Sequence, residues 1–169
     1  VGHWPIPLVS PAHAVLTGEA IRTIDARFRL SLPADLADAV GGDEAECLLA
    51  KERPGCLSLW RRDAWEEKQR QTAEIVSSKL ASGRLDSRLS DVQRLGRLLS
   101  TRQRTIQLAG RGRLVIPEGF RELLGVEAGG EVMVVGAAVC VELWNPTAWA
   151  KLIGEEMPAF RELFEDLAK

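Results

Sequence analysis

The chain has 169 residues, of which 46% are hydrophobic and 27% charged, so it can bury a core and reads as globular. No apolar run approaches the roughly 20 residues that cross a bilayer as a helix, and the formal net charge of −2 is not that of a uniformly basic nucleic-acid binder. The charge is nevertheless uneven: residues 84–113 carry eight arginines against Asp86 and Asp91, a local +6, while residues 114–169 sum to −6. Local potential, not the total, sets what a surface attracts.

Residues 1–16, with Pro5, Pro7 and Pro11 and neither Lys nor Arg, read as a flexible tail and lack the basic start of a secretory signal. A short strand is expected at Ala20–Ile24, then a charged turn, then an apolar strand at Arg29–Leu32 that Pro33 stops. Residues 34–40 have helical spacing, with Gly41 suited to the C-terminal cap. Strands follow near Glu46–Ala50 and Cys56–Trp60. Residues 63–99 read as helical, with Leu80, Leu85, Leu89, Val92, Leu95 and Leu98 recurring at three- to five-residue steps and Gly83 as a break. The pattern then begins again. Arg104–Leu108 and Arg113–Ile116 are expected strands around a second turn, Pro117 opens a helix over 118–124 that Gly125 caps, and Glu131–Val135 and Val139–Trp144 are strands. Asn145-Pro146 is a helix start, and residues 155–168 form a last amphipathic helix with Phe160, Leu163, Phe164 and Leu167 on one face.

This recurrence is a duplication. Shifted by 84 residues, Ile24–Pro33 falls on Leu108–Pro117, Gly41 on Gly125, Cys56 on Cys140, Trp60 on Trp144 and Trp65 on Trp149. The implied organisation is a first repeat over 17–66, a helical connection over 67–100, a second repeat over 101–150 and a C-terminal helix over 151–169. Each repeat is small for an independent core, so the two are expected to complete one another.

Catalytic constellations are missing from the sequence. The two histidines, His3 and His13, lie in the tail, which leaves the body without a Ser-His or Cys-His pair. No Gly-rich phosphate loop occurs. Cys47, Cys56 and Cys140 have neither zinc-finger spacing nor a disulfide pattern and read as buried apolar residues. No enzyme activity, cofactor, metal or small-molecule substrate is expected.

The repeated turn is where chemistry remains. It reads Asp25-Ala26-Arg27-Phe28-Arg29 in the first repeat and Ala109-Gly110-Arg111-Gly112-Arg113 in the second. Two arginines at i and i+2 of a strand would share a face, and the planar guanidinium fork matches phosphate and the guanine edge. The alternative is an Asp25–Arg29 salt bridge that serves the fold. Arg102 and Arg104 either add phosphate contacts or occupy an exposed strand or linker. Trp60, Trp65, Trp144 and Trp149 are expected to pack the closing helix of each repeat on its sheet and not to stack bases.

From Leu16 to about Ile153 the sequence resembles the MraZ family. The resemblance is carried by Thr17-Gly18-Glu19, Thr23–Pro33, Leu59-Trp60 with Trp65, Leu143-Trp144 with Trp149, and Arg113–Pro117. It implies an α+β fold: tandem AbrB/MazE-like swapped-hairpin β-barrel repeats of SpoVT/AbrB type, with pseudo-two-fold symmetry and packing helices. It also implies a cytoplasmic, nucleoid-associated repressor that binds repeats in double-stranded promoter DNA as a cyclic homo-oligomer, an octamer being one candidate size. The DNA contacts would fall on Asp25, Arg27, Arg29, Arg111 and Arg113, with Arg102 and Arg104 beside them. The family pattern Asp-x-x-x-Arg is met by Asp25 and Arg29, but Phe28 replaces the usual Gly and Ala109 replaces the second Asp. Phe28 is expected to demand a different turn, since Gly takes positive φ at no steric cost. Two other readings stay open: a ring-forming protein-interaction module with degenerate loops, and an antitoxin-like AbrB relative.

Overall fold

A computed structural model describes residues 15–42 and 45–169. His3, His13 and the expected tail up to residue 14 lie outside the described residues. Leu16, placed in the tail by the sequence, exchanges backbone hydrogen bonds of 2.9 Å with Ala138.

The elements follow the duplication. The first repeat contains β1 (Glu19–Thr23), β2 (Arg29–Ser31), α1 (Ala34–Ala39), β3 (Glu46–Arg53), β4 (Cys56–Arg61) and the start of α2 (Arg62–Ala81). Gly83, at φ 74°, turns the chain into α3 (Leu89–Arg102). The second repeat contains β5 (Gln103–Gln107), β6 (Arg113–Val115), α4 (Glu118–Leu124), β7 (Glu131–Gly136), β8 (Val141–Trp144) and α5 (Pro146–Glu156), and α6 (Phe160–Leu167) ends the chain. Asn145 caps α5, its side chain accepting from the amides of Thr147 and Ala148, with Pro146 at the first helical position.

Strand pairing runs between the repeats and not within each strand–turn–strand. The six-stranded antiparallel sheet has the order β1-β7-β8-β4-β3-β5, and β2 pairs with β6 in a separate two-stranded ribbon. The first strand of each repeat has therefore crossed to the other: β1 pairs with β7, and β5 with β3. Each turn is closed at its base, Asp25 N donating to Arg29 O at 3.0 Å and Ala109 N to Arg113 O at 2.8 Å, after which the strands diverge. The physical reason lies in the core. Ile24 and Leu108, at the ends of the exchanged strands, are fully buried, and crossing over places each in a core built from both repeats.

Alternation along the strands divides the sheet into two faces. Leu57 and Leu59 of β4 and Val141 and Leu143 of β8 join Leu30, Leu32, Leu114 and Ile116 in one large core beneath the ribbon. On the other face, Trp60 and Trp65 lie 5.6 Å apart and Trp144 and Trp149 lie 5.7 Å apart. They seat α2 and α5 on the sheet, the packing role expected of them.

A pseudo-dyad runs through the molecule. In the ribbon Leu30 stands opposite Leu114, and in the sheet Ser58 stands opposite Glu142, each pair being 84 positions apart. The axis thus passes from the ribbon to the centre of the sheet, and everything on the ribbon comes in related pairs.

Candidate nucleic-acid interface

Leu30 and Leu114 point into the core, so by alternation Arg29, Ser31, Arg113 and Val115 lie on the ribbon's outer face. Arg29 faces Val115 and Arg113 faces Ser31, which makes the two arginines diagonal neighbours, about 7–8 Å apart in ordinary sheet geometry. They are related by the dyad. Arg27 and Arg111 are not strand residues: they sit in the turns, so the same-face argument drawn from strand alternation does not apply to them.

The first turn is clamped by its acid. Asp25 Oδ1 accepts the amides of Arg27 and Arg29 at 2.8 and 2.9 Å, and Oδ2 accepts Arg29 Nε at 2.7 Å. The amide of Arg29 first, then its guanidinium and the amide of Arg27, hold the Asp25 carboxyl below the usual carboxylate range. Both partners remain 42% exposed at the side chain. The salt bridge raised by the sequence as an alternative is therefore present, and it leaves Arg29 at the surface in a fixed orientation.

Phe28 takes the left-handed conformation, φ 57°, close to the 66° of its counterpart Gly112. The substitution does not change the handedness at this position. The accommodation lies in the facing helix. Arg121 of α4 lies over the Phe28 ring at 4.1 Å and is anchored by Nε to Ile116 O at 2.8 Å. Facing Gly112 is Ala37 of α1, so close that a Cβ on Gly112 would lie 2.7 Å from the Ala37 Cβ.

The second turn has no clamp. Arg111 is left-handed (φ 63°, ψ 30°), Arg111 and Arg113 are exposed, and neither has an acidic partner among the described residues.

Arg102 is not brought to this surface. Its guanidinium donates to Lys51 O at 3.0 Å and Glu52 Oε2 at 3.3 Å and lies over Trp65 at 5.8 Å, on the sheet face away from the ribbon. Arg104 is nearer. It lies over Phe120 at 5.9 Å with Lys51 at 5.0 Å from the same ring, on the core side of the sheet. Sequence reasoning passed over Lys51, which carries no motif and gains its place only through the β3–β5 pairing. The basic stretch as a whole does not form one surface: Arg84, Arg88, Arg94 and Arg97 lie on the helical connection.

Nothing else among the described residues competes as a chemical site. No group of three or more His, Cys, Asp or Glu is placed to hold a metal ion. Burial pushes the Cys47 thiol up to about 11 and Cys140 to about 12, and raises Cys56 as well, which keeps these thiols protonated and unreactive. No helix among the described residues is long and apolar enough to cross a membrane.

Comparison with known proteins places these features. The family model described as "MraZ protein, putative antitoxin-like" matches residues 15–88 and 101–168. A protein of Methylobacillus flagellatus named "Transcriptional regulator MraZ" is 32% identical over 143 residues, covering 84% of this chain and 88% of its own. Proteins of the same name from Bordetella pertussis and Thermomicrobium roseum are 29% and 28% identical, covering 83% and 86% of this chain and 89% and 94% of their own. The solution structure of PHS018 from Pyrococcus horikoshii covers 78% of this chain and 96% of its own at 15% identity and a TM-score of 0.32, too distant to carry an argument. Matched through both repeats and over most of its length, the chain belongs to the MraZ family.

Proposed function

We propose that this chain is a regulator of transcription that represses by occupying repeated sites in double-stranded promoter DNA, without enzymatic activity. The observation that carries this reading is the dyad-related pair Arg29 and Arg113 on the outer face of a two-stranded ribbon. A β-ribbon is one of the elements that enter the major groove, and guanidinium forks match both the guanine edge and phosphate. The names of the relatives support the regulatory role. The exchange of β1 and β5 between repeats supports reading the fold as a swapped-hairpin barrel of the SpoVT/AbrB type.

Self-association belongs to the same reading. Phe160, Leu163, Phe164 and Leu167 of α6 are 58–80% exposed, and Leu89, Leu95 and Leu98 of α3 are 40–57% exposed. Between α2 and α3 runs an open groove of about 340 Å³ that Val76, Leu80, Val92 and Leu95 help to line. Apolar area of this kind gains free energy when covered, and two different faces meeting head to tail close into a ring when the rotation permits. Such a ring would engage several DNA repeats at once and gain affinity by avidity.

The test is fluorescence anisotropy on a labelled fragment of the DNA upstream of the chain's own gene, against a scrambled duplex, across a salt series. Preferential binding that weakens steeply with salt and is lost in the Arg29→Ala/Arg113→Ala double variant is the expected result. Equal weak binding to both duplexes, or binding indifferent to the two substitutions, refutes the assignment.

A further inference from the structure

We propose that Arg121 of α4 is a positioning residue for the first turn: its guanidinium, laid on the Phe28 ring, holds the turn in the shape that presents Arg29. The duplication supplies the comparison. Phe28 and Gly112 are counterparts, and so are Arg121 and Ala37, each pair 84 positions apart. Where the turn carries glycine the facing helix carries a methyl, and where it carries phenylalanine the helix carries a guanidinium 4.1 Å from the ring centroid.

The contact closes a loop around one residue. Ile116 N donates to Phe28 O at 2.9 Å, and Ile116 O accepts Arg121 Nε at 2.8 Å. Phe28 N donates to Asp25 O at 3.0 Å. Phe28 is thus fixed at its amide, its carbonyl and its ring. That grip opposes a strain. At φ 57° a bulky side chain occupies a region it rarely enters, and such a conformation persists only where its surroundings over-determine it. A cation within roughly 6 Å of a ring face is attracted by the ring quadrupole, so Arg121 supplies a fixing contact that glycine does not need. In the second turn the ribbon bond is kept, Leu32 N to Gly112 O at 3.0 Å, but Ala37 has no donor to offer Leu32 O.

The consequence falls on the next residue. Arg29 follows Phe28 directly, and its amide and Nε both donate to the Asp25 carboxylate, at 2.9 and 2.7 Å. A turn whose Phe28 is released from α4 gains freedom in the peptide between Phe28 and Arg29, and that clamp loosens. Arg121 acts on Arg29 through Phe28, because its own hydrogen bond goes to Ile116. A helix of the second repeat thereby sets the turn of the first. Its role in DNA recognition rests on the function proposed above, whereas the hold on the turn does not.

The experiment is a double-mutant cycle on the full chain: wild type, Arg121→Met, Phe28→Gly and the double variant, each shown by circular dichroism to be folded, with Arg121→Gln taken instead should Arg121→Met not fold. Two readouts need no DNA. One is the NMR order parameter of the Arg29 Nε–H vector; the other is the carbon-detected titration of the Asp25 carboxyl, which the Arg29 amide and guanidinium and the Arg27 amide hold low. Arg121→Met is expected to lower the order parameter and to move the Asp25 titration toward higher pH, and to do neither in the Phe28→Gly background. Equal changes in both backgrounds, or changes in neither, overturn the proposal. The third readout is duplex affinity across a salt series. Arg121→Met is expected to weaken binding about three- to tenfold at an unchanged salt slope, again only when Phe28 is present. A slope that flattens by roughly 0.9 makes Arg121 a phosphate contact and overturns the positioning role, as does an unchanged affinity beside altered turn readouts. A wild type that binds no duplex while the first two readouts respond upholds the hold on the turn and refutes the DNA function instead.

Discussion

Gly112 offers the sharpest quantitative test of the packing around the second turn. Its φ of 66° is in the left-handed region, where an L side chain costs about 1–2 kcal/mol. A Cβ there would also lie 2.7 Å from the Ala37 Cβ, a distance that forces α1 to shift, and overpacking of this kind costs about 1–3 kcal/mol. Gly112→Ala is therefore expected to destabilise by roughly 2–5 kcal/mol, a large part of a domain stability of about 5–15 kcal/mol. The two contributions can be separated. Ala37→Gly removes the facing methyl and by itself costs about 1 kcal/mol in a helix interior. In the double variant the steric part disappears while the left-handed part remains, so the cycle should show a coupling of about 1–3 kcal/mol. Urea unfolding of the four proteins gives each value from the transition midpoint. A Gly112→Ala loss under about 0.5 kcal/mol, or a cycle without coupling, would refute the account of why the second turn has glycine.

Two further outcomes follow from the outer sheet face and from α6. Burial, above all, pushes the Glu142 carboxyl up, with Glu52 and Glu156 adding to it and Arg53 and the Trp144 N–H opposing. Its folded value lies above the ordinary one, so its contribution to stability is fully present below the unfolded value and lost as pH rises through the folded one. Glu142→Gln should thus gain melting temperature over wild type at pH 8 and lose that advantage by pH 4, and an advantage that grows on acidification would show the sign to be wrong. Phe160→Asp/Phe164→Asp places charge on the exposed stripe of α6 and should lower the assembly mass seen by sedimentation without lowering helix content; an unchanged mass removes α6 from the self-association surface.

Much of the architecture was legible because it is periodic. The Asn145-Pro146 start, Gly83 at the helix break and Gly125 at φ 70° each follow from local backbone chemistry. The strand exchange was not legible from the residues alone, since Ala20–Ile24 has the same alternation whichever neighbour it pairs with. Nor could the sequence separate Arg102 from Arg104. Two positions apart, they face opposite sides of the sheet, and Arg102 finds Glu52 and the Lys51 carbonyl there. Phe28 keeps the left-handed φ of its glycine counterpart while the turn around it differs, Arg111 being left-handed and Arg27 not; the residue that covers the Phe28 ring, Arg121, is 93 positions away, beyond any local reading.

The duplication explains how these asymmetries can exist. In a symmetric dimer every residue on the axis faces itself and every change is made twice. Glu142 would then stand opposite another carboxylate at the centre of the sheet. Here it stands opposite Ser58, which donates to Glu52 Oε1 at 2.6 Å and accepts the Trp60 N–H at 2.8 Å, while Trp144 donates to Glu142 at 3.2 Å. One copy carries a neutral residue at the axis and the other a carboxylate. The turns have diverged under the same freedom. Arg121 faces Phe28 while Ala37 faces Gly112, and Asp25 clamps one turn while the other, with Ala109 in the acid's place, closes as a short 3-10 helix. A duplicated chain can give two related arginines different surroundings, and so different tasks, on one ribbon.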